Sequence, residues 1–213
     1  MRSPDVLVMG VGRSGTSTVA RILHDRFLIC MGHDFIDTGE ANPKGTYESK
    51  IGLGATYGLL EKKNIAGWLR SYETIHSRCD SRLRGVKVPH LAGITPGMLN
   101  DISPKLVVIA ARDSGLNVAS MARWRSKGVD WSEFFDKRTE SIRRLVLGGN
   151  CFFMVVKFGA EYRSDADVAN DLAGVTDLFP PETRPDHSDF SHAWEYTDTG
   201  EGEGIEARKR HNA

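Results

Sequence analysis

VLVMGVGRSGTSTVARIL, residues 6–23, decides how the rest of this chain is read. Four apolar residues run into a glycine-rich turn that ends at Ser17. Beyond it Val19, Ile22, Leu23 and Phe27 recur at helical spacing, with Arg21, His24, Asp25 and Arg26 mostly on the other side. A buried strand, a tight loop and a helix in that order offer a row of backbone N–H groups, backed by a helix dipole, to an anion. The stretch therefore points to an α/β protein holding a small anionic group. Glycine-rich turns also serve as plain strand–helix connections, so the loop takes its meaning from partners elsewhere in the chain.

Outward from this unit, apolar runs predict strands at 5–9, 27–31, 83–88, 105–111 and 151–157. Helical spacing predicts helices at 49–62, 65–79, 95–102, from near Leu116, at 131–147 and at 165–178, with Thr95 as N-cap and Pro96 in the first helical position. Gly39, Asn42, Pro43 and Gly45 break any regular element across 38–47. Strands alternating with helices predict a three-layer α/β/α fold, a mostly parallel central sheet and a P-loop nucleotide-kinase-like arrangement. Residues 1–179 form the expected domain. In 180–213, Pro180, Pro181 and Pro185 precede an acidic, glycine-containing run and Arg208, Lys209 and Arg210, a composition expected of a weakly structured tail.

Composition narrows the function classes. At 213 residues and 40% hydrophobic, the chain has enough apolar surface for one full core. Twenty-eight basic residues balance 28 acidic ones, so no global field recruits nucleic acid. No run has the length of a membrane span, and the N-terminus enters a strand rather than a signal peptide, which makes the cytoplasm the expected compartment. Cys30, Cys79 and Cys151 are too few and too scattered for a disulfide framework or a zinc site, and no His/Cys/Asp cluster has metal-ligand spacing. Trp124, Trp131, Phe134, Phe135 and Leu145 read as helix packing and Phe152 and Phe153 as core.

The turn nearly fits the triphosphatase pattern G-x-x-x-x-G-K-[ST], but Thr16 stands where that pattern needs lysine. A triphosphate hydrolase would lose its main point charge. Arg13 is the loop's one cation, and its planar fork suits a pair of phosphate or sulfate oxygens. Gly10-Val-Gly-Arg-Ser-Gly-Thr-Ser17 resembles the 5′-phosphosulfate loop of the sulfotransferases that use 3′-phosphoadenosine 5′-phosphosulfate (PAPS), G-x-x-R-S-G-T-[ST]. The resemblance implies donor-binding roles for Arg13, Ser14, Gly15, Thr16 and Ser17.

Three further stretches are similar to that family in the same order. VVIAARDSGLNVAS resembles its 3′-phosphate segment, with an arginine closing a strand and a serine eight residues later, here Arg112 and Ser120. Independently of the family, an arginine and a facing hydroxyl suit a phosphate, while a strand-end arginine and a packed serine are equally ordinary structure. Asn42-Pro-Lys-Gly-Thr-Tyr-Glu48 resembles the N-P-x-G-[YFW]-x-E turn of bacterial and phage-type members, which implies Glu48 as the base facing the acceptor. At a helix start the same carboxylate also complements the dipole. Val86-Lys87-Val88-Pro89-His90 resembles the strand end where members place a lysine near the transferring sulfate and, in cytosolic enzymes, a histidine base. Lys87 fits that role, and His90 is the alternative base. The family's C-terminal K-G-x-x-G loop is absent from this sequence.

The implied activity is sulfuryl transfer from PAPS, without a metal, to a hydroxyl or amine of a small-molecule or carbohydrate acceptor, with neither nucleic acid nor membrane as partner. A P-loop small-molecule or nucleoside kinase and a non-catalytic nucleotide-binding relative are the competing readings.

Overall fold

Five consecutive buried residues form strand β1 (Val6–Gly10), an interior strand of the sheet. A computed structural model describes residues 1–33, 35–36, 46–79, 81–89, 93–122, 130–159 and 163–183. Among these, β1 pairs in parallel with β2 (Gly85–Lys87) on one side and β3 (Leu106–Arg112) on the other, and β4 (Phe152–Phe158) extends the sheet beyond β3. The order β2-β1-β3-β4 means that the chain leaves β1 in one direction and β2 in the other. The turn after β1 therefore lies where the winding reverses, the place where open parallel sheets bind ligands.

Period-two alternation gives each face its own core. Val6, Val8, Val108, Ala110 and Val156 pack with Val19, Ile22 and Leu23 of α1 (Thr16–Phe27) and Val168 of α7 (Asp165–Asp171). On the opposite face, Leu7, Met9, Val107 and Ile109 meet four helices: α2 (Lys50–Lys62), α3 (Ile65–Ile75), α4 (Pro96–Ile102) and α6 (Trp131–Gly148). A smaller apolar group joins Val11, Met121 of α5 (Ser114–Ala122) and Phe135. The three-layer α/β/α architecture is thus the one the sequence predicts. No helix among the described residues is long and apolar enough to cross a membrane.

Local signals account for most helix starts. Thr95 Oγ1 accepts from Met98 N at 3.2 Å with Pro96 next in line, Asp130 caps α6 through two backbone amides, and Ser164 with Asp167 forms a capping box on α7. The predicted strand at 27–31 is reduced to one parallel bridge, Cys30 to Arg84, because Leu28 takes a left-handed cap conformation (φ 49°) and breaks the extended run. The predicted helix at 165–178 stops at Asp171 and resumes as a 3-10 turn, Thr176–Leu178. Phe152 is not core. It is 63% exposed because β4 is the outermost described strand, whereas Phe153 packs inward against the α2–α6 face. Trp124 and all of 184–213 lie outside the described residues, while Pro181–Thr183 forms a 3-10 turn.

The cysteine reading also needs correction. Cys30 and Cys79 are disulfide-bonded, with Cα atoms 6.2 Å apart and 49 positions of sequence between them. Nothing in their spacing announces this, because the pair forms only once α3 returns the chain beside β2. Closing a loop of that length stabilises the fold by about 4 kcal/mol through the unfolded chain. Cys151 is the free thiol, and burial raises its pKa to about 11. Its thiolate at mildly alkaline pH is then about a hundredfold scarcer than that of an ordinary cysteine, so alkylation of the native chain should be correspondingly slow. Labelling at the rate of a model thiol would show that Cys151 is not buried as described.

Candidate functional site

The turn after β1 is held tight by three close approaches. A Cβ on Gly10 would stand 2.5 Å from Ala110 O and 2.6 Å from Ser14 Oγ, so β1 and β3 can meet here only at glycine. Gly15 has φ 99°, and a Cβ there would press on the Phe158 ring at 2.6 Å. Gly12 has nothing within 4 Å. Arg13 also takes a left-handed conformation (φ 67°), a cost of the kind that collects at ligand-binding turns. Gly15, the residue in front of α1, has no side chain with which to cap the helix's first-turn amides.

Two sets of side chains converge on this loop. In the first, Arg13 Nε donates to Ser120 Oγ at 3.1 Å and Arg112 Nη1 donates to the Arg13 carbonyl at 3.4 Å. The sequence separations are 107 and 99 residues, bridged because β3 ends beside the loop and α5 starts just past it. In the second, Lys87 at the end of β2 reaches Ser17 Oγ at 2.8 Å, the Thr46 carbonyl at 2.6 Å and Glu48 Oε1 at 2.8 Å. Those three partners match the three protons of an ammonium.

Glu48 is aimed by its neighbours. Ile36 N donates to Glu48 O at 2.8 Å, Thr46 Oγ1 donates to Ile36 O at 2.7 Å, and Phe35 bridges antiparallel to Ser49. Tyr47, in a left-handed conformation, buries its ring against Phe35 and His24 on the side of α1, and the turn directs the next residue toward Lys87. Ser49 then caps α2.

Lys87 is 5% exposed, and burial lowers its pKa; Glu48 opposes that shift, while the nearby Arg13 charge adds to it. Among the described residues, the cations Arg13, Lys87 and Arg112 lie around the loop with the Glu48 carboxylate. Among the described residues, the buried atoms Ser14 Oγ, Arg112 Nε and Asn117 Oδ1 have no hydrogen-bond partner. Buried polar groups are normally paired, which makes these three atoms candidates for ligand contact.

All the sequence-predicted residues that the structure describes therefore gather at one end of the sheet. Arg13, Ser120 and Arg112 form one group, Ser17, Lys87 and Glu48 the other, with buried Ser14, buried Thr16 and Gly15 between them. His90 and the 42–45 portion of the turn before Glu48 lie outside the described residues. Sequence reasoning missed two contributors. The Thr46 carbonyl orients Lys87, and Asn117, 2% exposed, extends its amide toward the Arg112 carbonyl at 3.4 Å. Asn117 was findable as a polar residue three before Ser120, on the same helix face.

No protein-family model and no curated protein matches this sequence. Among solved structures, an unliganded sugar kinase from Janibacter sp. HTCC2649 is similar, with 15% identity, a TM-score of 0.49, and coverage of 87% of this chain and 100% of that one. A likeness at that level assigns neither activity nor substrate.

Two predictions follow from the site's packing. Gly10→Ala and Gly15→Ala should each destabilise the fold by about 1–3 kcal/mol, whereas Gly12→Ala should be neutral or slightly stabilising. Denaturant midpoints measure this, and equal loss at all three glycines would contradict the described turn. Glu48→Gln leaves the Lys87 charge buried without a counter-ion and should cost about 2–4 kcal/mol. A loss under about 0.5 kcal/mol would mean the pair is solvated.

Proposed function

We propose that this protein is a PAPS-dependent sulfotransferase that moves a sulfuryl group to a hydroxyl or amine of a small-molecule or carbohydrate acceptor. The observation that carries the reading is the Arg13–Ser120 contact, because it joins the two segments that resemble the family's 5′-phosphosulfate and 3′-phosphate sites. A donor with phosphate at both ends of one ribose needs two anion sites a short distance apart, and ATP lacks the second group. The residues present suit such a donor. Its 5′ end would be held by the α1 amides, Ser14 and Ser17, and its 3′ phosphate by Ser120 and the Arg112 fork, whose Nε has no partner among the described residues.

When bound, the donor supplies the sulfuryl group and departs as adenosine 3′,5′-bisphosphate. Glu48 is the general base for the acceptor proton. Lys87, ion-paired to Glu48 at 2.8 Å, would supply positive charge to the departing bisphosphate. The lysine missing from the loop at Thr16 is replaced by one reaching Ser17 from the neighbouring strand.

Arg112→Ala should weaken adenosine 3′,5′-bisphosphate by about 10–150-fold, the worth of roughly 1.5–3 kcal/mol for a charge-assisted fork. Adenosine 5′-monophosphate, which lacks the 3′ group, should be nearly unaffected. Calorimetry on the two ligands checks this, and an equal loss for both would make Arg112 structural. Glu48→Gln, in a chain that calorimetry shows still binds the bisphosphate, should abolish transfer; unchanged turnover would remove Glu48 as the base.

A further inference from the structure

Away from the anion loop, three residues the sequence scatters come together behind β2. Donor atoms of Cys30, His76 and Cys79 all lie within 4.8 Å of one another, Cys30 and His76 being buried and Cys79 partly so. The His76 ring is 0% exposed and has carbonyl oxygens at both nitrogens: Tyr72 O is 2.9 Å from Nδ1, Gly85 O 2.7 Å and Cys30 O 3.1 Å from Nε2. A neutral imidazole has one N–H to give. Whichever nitrogen holds it, the other turns its lone pair toward a carbonyl oxygen and makes no hydrogen bond there, so that nitrogen is the one open to a cation. Two sulfurs and an imidazole beside an oxygen-lined, electron-rich wall make a donor set for a thiophilic divalent cation.

We propose that Cys30, His76 and Cys79 form a zinc-class metal site in the reduced chain, which the disulfide closes off on oxidation. His76 and Cys79 stand three residues apart at the end of α3, and Cys30 approaches from the bridge to Arg84. Zinc bonds of about 2.3 Å to sulfur and 2.0–2.1 Å to nitrogen put tetrahedral donors about 3.3–3.8 Å apart, within the 4.8 Å envelope. An external dithiol opens the disulfide: two electrons and two protons pass to the sulfurs, and the dithiol closes to its own disulfide. Metal binding then releases the thiol protons to solvent. A fourth position stays open to water. Metal and disulfide each staple the segment after α1, where Cys30 bridges Arg84, to the turn after α3, so the fold keeps a cross-link in either redox state. The site is independent of the sulfotransferase reading.

The test uses the full chain, reduced with a trialkylphosphine (which takes up a water oxygen as it becomes the phosphine oxide), desalted anaerobically and titrated with Co2+. The reduced chain should bind one equivalent with thiolate-to-metal charge-transfer and tetrahedral ligand-field absorption, be displaced by Zn2+, and gain thermal stability from Zn2+. The oxidised chain should show none of this. Cys79→Ser should weaken binding by about 100-fold or more, and Cys151→Ser should leave it unchanged. The proposal is overturned if the reduced chain gives no thiolate–cobalt absorption, if the oxidised chain gives the same signal, or if Cys151→Ser rather than Cys79→Ser removes it. Comparing redox states needs no substitution, so a Cys79→Ser chain that fails to fold leaves the outcome decidable.

Discussion

One buried ammonium ties the site to the fold. Lys87 ends β2 and reaches the first turn of α1, the Thr46 carbonyl and the Glu48 carboxylate, so three segments far apart in sequence share one charge. Its burial is tolerable only because all three protons are accepted and a carboxylate lies at 2.8 Å. A second cation, Arg13, acts on Lys87 in the direction burial does, and the Glu48 carboxylate opposes both.

The glycine turn is the mechanical counterpart of that charge. Gly10 lets β1 and β3 approach until Ala110 O fills the space a side chain would take, which brings Arg112 and then α5 alongside the loop. Ser120 can meet Arg13 only because of this approach. The glycine turn and its distant partners are thus one construction, set by strand pairing in the sheet.

Much of this was legible in the sequence. The apolar runs of β1 and β3, interior strands, gave unambiguous signals, as did Thr95 before Pro96 and the helical spacing over 131–147. The motif residues Arg13, Lys87, Arg112 and Ser120 carry their chemistry in their identities. What spacing could not convey was long-range geometry. Cys30 and Cys79 look unrelated until α3 folds back, and Phe152 reads as core until its strand proves to be the outer one described. The same holds for the Thr46 carbonyl, a backbone group that no motif marks.

The central claim is that the loop and the β3–α5 segment together hold one ribose bisphosphate. A crystal structure of the chain with adenosine 3′,5′-bisphosphate tests it most directly. The account predicts the 5′-phosphate on the amides of 13–17 and the 3′-phosphate within hydrogen-bonding distance of Arg112 and Ser120. A bisphosphate bound with its 3′ group in solvent, or bound elsewhere on the protein, would contradict it.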